Sequence, residues 1–281
     1  MGVIGAIVLL VAFLFTRDIK GLVKPKEENG KGGPASAQMA PAGAAPELSI
    51  SEVSANAKSS IGAGPSAEIT ALENKFSSAP DQEKSEQAKV LAQKWDAAEQ
   101  AAPSAMYLEL IAKQEQTLTS WLNTGDRFLK AFDNSRDSVL LPALLQKANN
   151  AFSNAVKIDS ANSDAKTGLG ITIVNGMGMP MQGIAMLMDV VKKDPKNLKA
   201  NMSLGTFAIK SGQFDKAITR FKTIIAIKPS PDAYFYLATA YENLGKNPEA
   251  IEAYLQSKKL AANPTLSKFI DERVLALKSK N

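Results

Sequence analysis

Residues 198–230, LKANMSLGTFAIKSGQFDKAITRFKTIIAIKPS, and 231–264, PDAYFYLATAYENLGKNPEAIEAYLQSKKLAANP, decide the fold. Laid over one another they correspond at a spacing of 33: Leu204-Gly205 with Leu237-Ala238, Ala208 with Tyr241, Gly212 with Gly245, Ala217 with Ala250, Phe221 with Tyr254. A fixed period of this length marks stacked supersecondary units, because one unit cannot bury its apolar face alone. Inside each copy the apolar residues recur at helical spacing in two runs separated by a glycine, so the unit is a pair of helices.

Working outward, Leu169-Gly170, Gly183, Leu187, Val190 and Pro195 repeat the offsets one unit earlier, with a longer loop around 176–181. Before that, Trp121, Gly125 and Phe128 open a helix whose partner carries Ala148, Phe152, Ala155 and Ile158. Each residue type has a physical reason. Small residues (Gly170, Gly205, Ala238; Gly183, Ala217, Ala250) allow the two helices of a pair to approach where they cross. Gly212 and Gly245 end the first helix of their pairs, where a left-handed conformation costs glycine least. Pro195 and Pro229 stop the second helix.

These residues resemble the tetratricopeptide repeat (TPR), whose pattern is Trp-x2-Leu-Gly-x2-Tyr followed by Ala-x3-Phe, Ala and Pro. The resemblance is strongest in the last two units. Thr167 and Asn201 depart from it where a large aromatic is usual, as does Ala262 in place of the last proline. It implies an all-α fold, a TPR superhelix or α-solenoid. Four repeats span 118–264, the first with an insertion at Asp133–Pro142, and a degenerate repeat at about 84–116 precedes them within a helical region 66–117. The tail 265–281 places Leu266, Phe269, Ile270, Val274 and Leu277 on one face, as expected of a capping helix over the last repeat.

The family holds extended peptides or partner helices in a concave groove lined by the first helix of each repeat. Carried over by position, the groove residues are Leu122, Asp126 and Leu129 in the first repeat, and Thr167 and Ile171 in the second. The third supplies Lys199, Met202, Thr206 and Ile209, the fourth Phe235, Thr239 and Glu242. Thr119, Lys130, Asp164, Val174, Asn175, Lys210, Asp232 and Asn243 take the remaining groove-facing positions. For Ile171 and Val174, packing between repeats is an equal reading. Members of the family that clamp a terminal carboxylate carry Lys and Asn at the fifth and ninth positions. Here those pairs are Leu122/Asp126, Thr167/Ile171, Met202/Thr206 and Phe235/Thr239, which points instead to an apolar groove with scattered charges.

Composition narrows the chemistry. The 281 residues contain no histidine and no cysteine. Ser-His and Cys-His catalysis, Cys/His zinc sites, disulfides and thiol redox motifs are therefore excluded. No GxxxxGK[ST] phosphate loop is present. Glu68, Glu73 and Glu83 lie in charge-rich helical stretches and are read as solvated faces rather than acid/base pairs. The net charge of +5 comes from 33 basic and 28 acidic residues spread along the chain, unlike the clustered stripe of a nucleic-acid binder. The expectation is a non-enzyme with no cofactor. Met177, Met179 and Met181 have a spacing that soft Cu(I) accepts. With Met186 and Met188 continuing as core-like residues, a loop and packing role is the preferred reading.

The N-terminus differs from everything after it. Met1–Phe15, MGVIGAIVLLVAFLF, is uncharged. As a helix it spans roughly 23 Å at about 1.5 Å per residue, and continuing to Val23, with Arg17 and Lys20 reaching headgroups, brings it close to the roughly 30 Å hydrocarbon core. It lacks a basic start and a small-residue cleavage site, so a single-span anchor over 1–23 is expected, of the kind found in a bacterial inner membrane. Arg17, Lys20, Lys24 and Lys26 would place the body on the cytoplasmic side by the positive-inside rule, and basic residues upstream of Met1 would reverse this. Residues 24–65, rich in Gly, Ala and Pro, read as a flexible linker with a short helix starting near Leu48. The expectation is thus a membrane-tethered scaffold for a protein or peptide partner. Its architecture resembles bacterial proteins that join one span to such repeats, including the ancillary subunit of the Sec translocon. An assembly factor whose repeats self-associate is the alternative.

Overall fold

The computed structural model describes residues 48–176 and 178–279. These form thirteen helices and no strand: α1 Ile50–Lys58, α2 Ala63–Ser78, α3 Asp81–Ala97, α4 Ala101–Glu115, α5 Leu118–Asn134, α6 Leu141–Ile158, α7 Ser163–Gly176, α8 Pro180–Lys193, α9 Leu198–Lys210, α10 Phe214–Ile227, α11 Pro231–Asn243, α12 Asn247–Leu260 and α13 Pro264–Lys278. From α3 onward each helix packs on the next. The first helices α5, α7, α9 and α11 also touch in sequence, as in a solenoid.

Polar caps punctuate the stack at the repeat period. The side-chain oxygens of Asn162, Asn197, Ser230 and Asn263 accept from the backbone N–H groups of Ala165, Ala200, Ala233 and Leu266, starting α7, α9, α11 and α13. Thr117 and Ser120 form a capping box at the start of α5. Each cap satisfies an N–H the helix cannot. At the other end of α9, Gly212 is left-handed at φ +72°, while Gly212 N–H donates to Ile209 O and Gln213 N–H to Ala208 O. Gly245 closes α11 in the same way.

Side-chain absence sets the spacing within pairs. A Cβ on Gly183 would lie 2.6 Å from the Gly170 carbonyl oxygen, and one on Gly205 2.7 Å from the Phe221 ring. The Phe152 ring of α6 fills the space between Gly125 of α5 and Gly168 of α7. Ala217, Ala238 and Ala250 have no exposed surface. Asn201, in place of an aromatic, is fully buried and satisfied: its amide donates to Pro195 O and Asn197 O and accepts from Arg220. The departure from the family pattern is thus a polar tie between the end of α8 and α10.

Several expectations need correction. The linker expected over 24–65 does not extend beyond 47, because Leu48, Val53 and Ala57 are buried and α1 docks on α4. Residues 1–47, including the anchor and the rest of the linker, lie outside the described residues, as do 280–281. No helix among the described residues is long and apolar enough to cross a membrane. Glu73 is not on a solvated face: it accepts from Ser54 Oγ at 2.6 Å and Tyr107 OH at 3.3 Å and pairs with Lys58, joining α1, α2 and α4. The Asp133–Pro142 insertion is a loop over 135–140 between two lengthened helices. α6 starts seven residues before Ala148, whereas α10 and α12 start three before Ala217 and Ala250. The degenerate repeat is the pair α3/α4, whose first helix ends on Glu99 at φ +58° instead of glycine, with Gln100 N–H donating to Trp95 O. α13 buries Leu266, Ile270, Val274 and Leu277 in the core of the last helices.

Two outcomes follow for stability. Gly183→Ala should lower it by about 1–3 kcal/mol in urea denaturation, since backbone must move, while Gly64→Ala, with open space around it, should change it by less than about 0.5 kcal/mol. Gly245→Ala should cost about 1 kcal/mol from its left-handed φ alone, and Gly245→Asn should recover part of that.

Candidate partner-binding groove

The helical spacing of α5 places Asp126, Lys130 and Asp133 on one face, at i, i+4 and i+7. That face looks toward α9, two helices of the stack away. Lys199 of α9 pairs with Asp126 past α7, so α5 and α9 come within side-chain reach on this side of the stack. The Lys199 ammonium also sits 5.4 Å over the Phe152 ring, where Gly168 leaves α7 without a side chain. Asp133 and Lys210 are open to solvent on one side and surrounded by protein on the others. Desolvation raises the Asp133 carboxyl above its ordinary range, opposed by Lys210 and Lys199. It lowers the Lys210 ammonium, opposed by Asp133. Desolvation also raises Asp232. The Tyr236 phenol is pushed up to about 12 by burial first, then by the charges of Asp232 and Asp133. The end of α5, α9 and the start of α11 therefore converge on one concave, partly desolvated region.

The twelve residues expected to line the groove divide. Leu129, Thr167, Phe235 and Thr239 are buried. Phe235 is 2 % exposed, with the Tyr254 ring at 5.5 Å and the Phe269 ring of the capping helix at 5.9 Å. Thr239 donates to its own helix at Phe235 O. Glu242 is also engaged: it accepts from Tyr254 OH at 2.9 Å and from Arg273 Nε at 3.0 Å, bonding α11 and α12 to α13. These five expectations are corrected: in the last repeat Tyr254 of the paired helix and α13 occupy the space beside Phe235 and Glu242, and Leu129 and Thr167 are interior to the stack. Leu122 and Ile171 are half-buried against the core between repeats. Asp126, Lys199, Met202, Thr206 and Ile209 remain accessible, and the structure brings the first two together.

The sequence reading missed Asp133, Tyr236 and a cavity of about 520 Å³ between α3, α4 and α5. Lys89, Gln93 and Asp96 of α3 face Asn123, Asp126, Arg127 and Lys130 of α5 across it, over Ala92 and Leu108. Arg127 pairs with Asp96 at 2.8 Å, while Asp96 Oδ1 is buried without a hydrogen-bond partner. The i, i+4, i+7 spacing of Lys89, Gln93 and Asp96 was the available signal. In the methionine loop, Met179 and Met181 are exposed and Met177 lies outside the described residues. Met188 is not core-like: it is 48 % exposed and its sulfur accepts from Arg220 at 3.3 Å. No group of three His, Cys, Asp or Glu side chains among the described residues could hold a metal.

Comparison with known proteins agrees with this architecture. Residues 232–264 match the tetratricopeptide repeat family model. No curated protein matches the sequence. Among solved structures, a thermophilic TPR protein of Thermus thermophilus superposes with a TM-score of 0.54 at 17 % identity, over 69 % of this chain and 98 % of that one. YrrB, a TPR protein with an unusual peptide-binding site, is 14 % identical over 68 % of this chain and 94 % of its own, with a TM-score of 0.43. MamA is 19 % identical over 60 % and 93 %, with a TM-score of 0.45. At these identities the first likeness speaks to fold alone. A tetratricopeptide repeat is thus recognised at 232–264, and the helical body shares its fold with the Thermus thermophilus TPR protein.

Proposed function

We propose that the chain is a non-catalytic, membrane-tethered scaffold that holds a protein partner in its concave face. The observation that carries this reading is the accessible lining of α5, α9 and α11, where half-exposed Met202, Thr206 and Ile209 lie beside Asp126, Lys199, Lys210 and Asp232. Apolar surface ringed by charges of both signs is suited to a peptide or helix and to no evident reaction. Residues 1–23 serve as a span in a bacterial inner membrane and 24–47 as a tether. A tether of that length and composition reaches about 25–30 Å, enough to move the body over the bilayer surface. A role beside a translocon or in envelope assembly is the narrower form of this reading, and the identity of a captured partner separates the two.

A photoreactive benzoylphenylalanine at position 202 in the full chain should yield a discrete crosslinked adduct in intact membranes, and one at the exposed outer position 252 should not. Equal adducts at both positions, or none at 202, would count against a binding groove. Deleting 1–23 should release the chain from alkali-washed membranes; retention would remove the anchor from the proposal.

A further inference from the structure

The guanidinium of Arg220, on α10, joins three helices. Its Nη1 group donates to the buried Asn201 Oδ1 of α9 at 3.1 Å, and its Nη2 group to the Met188 sulfur of α8 at 3.3 Å. Arg127 and Arg273 are paired with carboxylates, whereas Arg220 forms no ion pair among the described residues. Its charge thus faces two neutral acceptors, and one of them is a thioether, the weaker kind. The Met188 end of the bridge is where a better acceptor would add most.

Oxidation of that sulfur creates such an acceptor. The chain has no cysteine, and five of its nine methionines lie within 177–188. Met179, Met181 and Met188 are 54 %, 72 % and 48 % exposed, while Met106 and the two tryptophans are buried. A peroxide in solution therefore reaches the thioethers of this segment readily. The sulfur lone pair attacks the hydroxyl oxygen of the peroxide, and an S–O bond forms as the O–O bond breaks. Sulfur gives up two electrons, the peroxide is reduced, and the proton on the transferred oxygen passes to the departing one, giving water or an alcohol.

A sulfoxide normally disrupts the packing around a methionine, because a polar group replaces an apolar one. Met188 is placed differently. Half of its side chain is open to solvent, so the new oxygen needs no burial, and a guanidinium N–H already points at the sulfur. The bond it would make to an S=O oxygen is charge-assisted and stronger than the one it makes to sulfur. Since Nη1 serves Asn201 and Nη2 serves Met188, this gain does not take the donor away from the buried Asn201.

We propose that Met188 is a site of peroxide oxidation whose sulfoxide is held by Arg220, so that the joint between α8, α9 and α10 tightens on oxidation instead of loosening. The inference is independent of what the concave face binds.

The test treats the full chain in detergent with dilute hydrogen peroxide and locates the added oxygen by peptide mass mapping. Oxygen should appear on Met188. Met188→Leu is the control that carries every other oxidation. The thermal midpoint should change on oxidation by about 2 °C more favourably in the wild type than in this control. The same comparison made in an Arg220→Gln background should show no difference. Met188→Gln, which places an amide oxygen near the position of the sulfoxide oxygen, should raise the midpoint without oxidant, and only while Arg220 is present. Three results would each overturn the proposal: an unmodified Met188 in the oxidised chain, an equal or less favourable midpoint change than in the control, or a gain that survives the loss of Arg220. The Gln variant keeps the test decisive should oxidation elsewhere unfold the chain, since a midpoint no higher than that of the wild type would also overturn it.

Discussion

Two helices of a repeat can approach only as closely as the residues at their crossing permit, and in this chain those residues have a methyl group or less. Gly170 and Gly183 meet backbone to backbone, Gly205 lies against the far end of the Phe221 ring, and Gly125 and Gly168 enclose Phe152 from either side. Close-packed interiors transmit such constraints, because a side chain that does not fit displaces a whole helix. In a solenoid each displacement is passed to the next unit. The spacing within pairs therefore governs how the first helices line up along the concave face.

Curvature adds what nearest-neighbour packing does not. Asp126 and Lys199 lie 73 residues apart on helices separated by α7, yet they pair. Asp133 and Lys210 share a partly desolvated region in the same way, and each opposes the shift that burial imposes on the other. The inner surface is thus a set of charges held in balance across a gap, bordered by half-buried Met202 and Ile209. At its C-terminal end the balance is used internally: Glu242, Arg273 and Tyr254 fasten the capping helix to the last repeat. A groove position and a cap contact compete for the same side chain there, and the cap has it.

The repeat was legible because its signals are local. Glycine at a left-handed helix end, a small residue at a crossing and proline after a second helix are dictated within a few residues, and Gly212, Gly245 and Ala217 carry them openly. The degenerate pair α3/α4 was legible only in outline because Glu99 takes the left-handed position that glycine holds elsewhere. Asp133 was hidden for another reason. It lies beyond the length of an ordinary first helix, in the extra turn that α5 gains from what reads in sequence as an insertion.

By itself, then, the sequence determined the helix pairs, their period, their caps and the small residues at their crossings, since each depends on contacts within one repeat or with its neighbour. Only the tertiary structure decided which first-helix residues face open space. Phe235 and Leu129, expected along the groove, are interior here, while Lys130 is exposed and Lys199 is half-exposed in its pair with Asp126. The physical reason is that exposure on a concave surface depends on the summed rotation of successive repeats and on where the capping helix comes to rest. No local period encodes either.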